Sequence, residues 1–194
     1  TLTASATINT SADTIAVGSL VLAGATTLDT GTGAALSVAS VTGAGNDLTL
    51  DGGAAGAITA GSISNVGVLT VTDSGSPTVN GNLSATTVTL TDTTGAVTFN
   101  GTVTAGTLNT AAQGYSVTFN GNATITNDVT FASTGGVVFG DSDADVFTFN
   151  GGLDTTAGAT TARGTVQTSA DQLDIGTLTL SGDLSVLTAG GALN

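Results

Sequence analysis

The chain has 194 residues, of which 29 are Gly and one is Pro; 40% are hydrophobic, 8% are charged, and the mean hydropathy is +0.39. That is too apolar for the disordered class, yet much of it is Ala and Val, with six Phe and one Tyr, so a core must be thin and repeated along an axis. Fourteen acidic residues, all Asp, stand against the single cation Arg163 for a net charge of −13, which excludes the Lys/Arg clusters of nucleic-acid binding and disfavours an anionic membrane surface.

Cysteine is absent, so there is no disulfide framework and no thiolate metal site. No apolar run approaches the ~20 residues of a membrane helix, so nothing predicts membrane embedding by a helix. From Thr1 the chain runs directly into strand-like alternation, TLTASATI, without a basic segment followed by an apolar one; if the protein is secreted, the expectation is a processed chain or an excised piece. Residues 1–60 keep the alternation, as in LTLDG at Leu48, but without strict phase.

From Gly61 the phase becomes strict. Rows of 20 residues read GSISNVGVLTVTDSGSPTVN, GNLSATTVTLTDTTGAVTFN, GTVTAGTLNTAAQGYSVTFN and GNATITNDVTFASTGGVVFG. Gly61, Gly81, Gly101 and Gly121 head them. Val79, Phe99, Phe119 and Phe139 share a column, and Asn80, Asn100 and Asn120 close their rows. Within rows, VTF, VTL and LTL alternate apolar residues with Thr, the pattern of half-buried strands. Gly and Asn mark the bends. No stretch carries helical spacing. Asn-Gly after a strand also suits a hairpin, but a hairpin array does not need like residues in like columns. A parallel β-helix does, because each row is one coil stacked ~4.8 Å from the next. The predicted fold is therefore all-β, a β-solenoid of one domain over residues 1–194 with about 20 residues per coil, most regular over 61–140. Nine to ten such coils make a rod ~45 Å long.

FTFNGG at Phe147 returns 30 residues after VTFNG at Val117, which predicts an inserted, protruding loop at about 132–146 containing GDSDADV. Phase is weak again over 152–194. Neither TLTASATINT nor LSVLTAGGALN reads as a cap, so the chain is either a slice of a longer protein or associates head to tail with other copies into a filament, the reading favoured here.

The runs GTLTLSGDLSVLTAGG (Gly176–Gly191), NGNLSATTVTL and VTFNGTVTAGTLNT resemble, in repeat style, the repetitive regions of filamentous-haemagglutinin-type and autotransporter adhesins. The resemblance covers nearly the whole chain. It implies a right-handed parallel β-helix, secretion to the bacterial cell surface and a structural or adhesive role; it implies no site residues.

Among candidate sites, Asp141, Asp143 and Asp145 form the one dense acidic cluster. Looped, their hard oxygens suit Ca²⁺. Against this, Val146 stands where an EF-hand has Gly, and no Glu follows; the alternative is a solvated acidic tip. Without His, Cys, Lys or Glu, acid–base chemistry falls to Asp and Tyr115, so no catalytic residue is assigned and no enzyme is expected. Arg163 reads as a surface residue paired with an Asp. Thr-x-Thr pairs differ in phase, and only Thr78, Thr98 and Thr118 form a column, which disfavours an ice-binding face. The function expected is a structural shaft or subunit of a secreted surface filament, matrix or adhesin. The alternative is a Ca²⁺- or glycan-binding module using the Asp-rich insertion, ahead of a polysaccharide-active enzyme.

Overall fold

Alternating apolar and Thr residues give strands whose two faces differ, and parallel stacking buries one of them. In a computed structural model describing residues 1–194, the chain is all-β, without a helix, and every strand pairs in parallel. It winds as a β-solenoid of about 9 turns. A typical coil carries strands at Val97–Phe99 and Val103–Thr110, the second long enough to turn a corner.

Two inward columns run the length of the rod, and a third is interrupted where Leu90 passes to Thr110. The first holds Val17, Val38, Ala60, Val79, Phe99, Phe119, Phe139, Ala162 and Leu180, and its members number the coils one to nine below. The second runs Leu2, Leu20, Val41, Ile63, Leu83, Val103, Ala123, Phe147, Val166 and Val186. The third holds Ile8, Leu28, Leu50, Val71 and Leu90 toward the start, and Val129, Leu153 and Leu173 toward the end. Most of their members belong to a single apolar cluster of 41 buried residues.

The expected ladders are present. Phe119 stacks between Phe99, at 5.2 Å and 21°, and Phe139, at 5.9 Å and 18°. Phe131 meets Phe119 and Phe139 edge-on. At the bend, Asn100 Nδ2 donates to Asn80 Oδ1 at 2.8 Å, and Asn120 Nδ2 donates to Asn100 Oδ1 at 2.7 Å. The glycine heading each row is there for space: a Cβ on Gly101 would sit 2.5 Å from the Gly81 backbone.

Two features differ from the sequence reading. Residues 1–60 are in full register although their phase drifts, because extra residues are absorbed in the bends while paired strands stay aligned: Asp29 lies beside Asp51 and Leu36 beside Ile58. The insertion is also smaller than 132–146. Phe147 and Phe149 pair with Ala123 and Ile125, whereas the Phe139 column passes to Ala162. FTFN is thus a second strand of its coil, not a repeat of VTFN. Residues 132–139 belong to the regular coil, ending in the strand Val137–Phe139. The extra chain is confined to Gly140–Val146, seven residues where the preceding coil uses three.

Phe119 is fully buried against three other rings. Phe119→Ala should cost ~3–5 kcal/mol as a large-to-small core truncation. Chemical denaturation checks this; an unchanged midpoint would refute the inward stack.

Candidate functional site

The insertion follows the strand Val137–Phe139 and runs into the first residue of Val146–Phe149. It does not protrude as a free tip. Asp145 Oδ2 accepts the backbone N–H groups of Asp141 at 3.1 Å and Ser142 at 2.9 Å, and Ser142 Oγ accepts that of Ala144. The loop is therefore a tight turn bound to itself. Asp143 points the other way: its Oδ1 receives Arg163 Nε at 2.9 Å, Arg163 Nη2 at 2.9 Å and the Asp183 N–H at 3.1 Å. Arg163 Nη1 also donates to the Asp141 carbonyl at 3.2 Å. The hydrogen bond and charge of Arg163 hold the Asp143 carboxyl below the usual carboxylate range.

The calcium expectation rests on the three carboxylates of this loop. Asp141, Asp143 and Asp145 do not converge, because one carboxylate faces Arg163 and another is turned back onto its own backbone. No group of three carboxylates in the chain is placed to hold a metal ion. The pairing of Arg163 with an Asp is as expected.

The sequence reading missed an open groove of about 350 Å³ on another side of the rod, lined by Asp128, Thr130, Gly151, Gly152, Leu153, Asp154, Asp171, Gln172 and Asp174. Stacked Leu-Asp pairs build it, since Leu153–Asp154 lies beside Leu173–Asp174. Those pairs, 20 residues apart, were its visible signal. Its carboxylates are partly engaged: Asp154 Oδ1 accepts from Thr156 N and Oγ1 at 2.8 and 2.6 Å, and Asp174 accepts from Asn194 and Gln172. Chemically the groove is a row of hydrogen-bond acceptors.

A second Asp column lies near the start, where Asp29 and Asp51 are adjacent and each accepts an N–H from its own turn, at Gly31 and Gly53. Asn9 donates to Asp29. Burial, opposed by the Gly53 hydrogen bond and reinforced by the charges of Asp29 and Asp73, pushes the Asp51 carboxyl above its ordinary value. Tyr115 is buried; its hydroxyl accepts from Ala111 N at 2.9 Å and donates to the Leu90 carbonyl at 3.0 Å. Burial pushes the phenol up, and the ring acts as a strut between coils. The Thr column extends further than expected, through Ser37, Thr59, Thr78, Thr98, Thr118, Val138, Thr161 and Thr179. A second column holds Thr7, Thr27, Thr49, Thr70 and Thr89. No protein-family model, curated protein or solved structure matches the chain.

Calcium added to about millimolar concentration, the weak extracellular range, should give no saturable heat in calorimetry. A stoichiometric binding isotherm would contradict the geometry of the loop. The Asp51 shift yields a second expectation. A carboxyl raised in the folded state costs stability above its folded pKa, and that cost fades as pH falls through it toward the ordinary Asp value. Asp51→Asn keeps an acceptor for Gly53 and should raise the melting temperature near neutral pH, with the gain gone by about pH 3. An equal gain at both pH values would show that charge is not the cause.

Proposed function

We propose that this chain is a structural β-helical shaft, or a shaft subunit, of a secreted bacterial surface filament, matrix or adhesin. The observation that carries the reading is the unbroken in-register second column from Leu2 to Val186. Such register spends the sequence on a uniform rod. The repeat style shared with filamentous-haemagglutinin-type and autotransporter adhesins supports the surface setting, and the net charge of −13 suits a soluble chain there.

The strand Leu178–Leu187 pairs on one side alone, with Thr160–Thr168, and leaves Leu180 61% and Leu187 49% exposed. At the opposite end Leu2 is 37% exposed. End-to-end self-association, a heterologous contact that propagates instead of closing, is the form such a filament would take. A second reading, a glycan-binding module, draws on the acceptor-lined groove between Asp128 and Asp174, and a glycan array tests it.

Negative-stain electron microscopy and a light-scattering concentration series test the main reading. The expected result is rods whose mean mass grows with concentration. Compact particles would overturn the shaft, and a concentration-independent monomer would overturn the polymer.

A further inference from the structure

Every coil of a solenoid touches its two neighbours, so stability is passed from one coil to the next and an end frays one coil at a time. The insertion breaks that rule. Asp143 leaves coil seven, Arg163 belongs to coil eight and Asp183 to coil nine. Asp143 Oδ1 takes hydrogen bonds from both of the latter, one of them across 40 residues of sequence.

We propose that Gly140–Val146 is a clasp that ties coil seven directly to coil nine, so that the C-terminal coils open as one unit. The loop is seated for this purpose. Gly164, at φ +82°, lies under the carbonyls of Asp145 and Ser142, where a Cβ would collide with the loop backbone. Gly182, on the last coil, lies under the Asp143 carboxylate and the Arg163 guanidinium, and a Cβ there would strike both. The one cation of the chain is spent on this contact, amid Asp141, Asp143, Asp145 and Asp183. This inference holds whether or not the chain forms filaments.

Native-state hydrogen exchange on the full chain tests it, comparing amides of Leu178–Leu187 with those of Thr160–Thr168 and Val146–Phe149. Gly182→Ala is the discriminating variant. It changes no charge and sits at an ordinary backbone conformation, so on strand propensity alone Ala would raise local protection. The clasp predicts the opposite: exchange in Leu178–Leu187 faster by about two- to fivefold, the scale of an exposed ion pair. Asp143→Ala should do the same, and Asp143→Asn, which keeps the acceptor oxygen, should do less. Combining Arg163→Gln with Asp143→Ala should add little to either alone. Unchanged or slower exchange in Gly182→Ala overturns the clasp. So does an Asp143→Ala chain whose last coil exchanges as in the parent, and that variant needs nothing from Gly182→Ala folding.

Discussion

Each residue of this rod lies over its own counterpart in the next coil, one inter-strand spacing away, and the composition follows from that constraint. Apolar residues profit from being stacked on their like. Asn does too, because its amide both donates and accepts, as the Asn80–Asn100–Asn120 ladder shows. A carboxylate only accepts, and stacked carboxylates repel. Where Asp29 and Asp51 do stack, each is held by an N–H of its own turn, and Asn9 supplies a donor at the outer rung. In a chain with a net charge of −13, Asp29, Asp51, Asp145 and Asp154 are each held by N–H groups of their own turns.

The same constraint thins the core and makes it uneven. All six Phe fall between Phe99 and Phe149, and Phe139 touches four of the others. The rod is therefore best packed from coil five to coil seven. Toward the start, Leu and Val carry the columns, with Tyr115 adding a hydrogen-bonded strut at the edge of the Phe cluster. The folded-back insertion leaves the Phe139 coil, within this cluster, and reaches across two coils to Asp183.

Polar chemistry on the outside is similarly repetitive. Thr columns cover two faces, Asn a bend, and Asp a groove. Repetition of one group along an axis makes a surface suited to extended contact.

By itself the sequence determined the strand alternation, the 20-residue coil, the inward Phe column and the Asn bend, because period and phase are local properties that composition does not fix. The pairing of Arg163 with an Asp was legible from charge alone. Which strand Phe147 joins was decided in three dimensions: the FTFN motif fits either column locally, and the structure places Phe147 and Phe149 beside Phe139, where the rings pack. That choice set the size of the insertion. The register of residues 1–60 was hidden because bends absorb extra residues while hydrogen-bonded strands stay aligned, so space keeps a period that the sequence count loses. Contacts that cross coils, such as Asp143 to Asp183, and the groove between stacked Leu-Asp pairs exist once winding brings residues 20 and 40 apart together. The recurrence of Leu-Asp after 20 residues hints at the groove, but nothing local encodes the Asp143 contact.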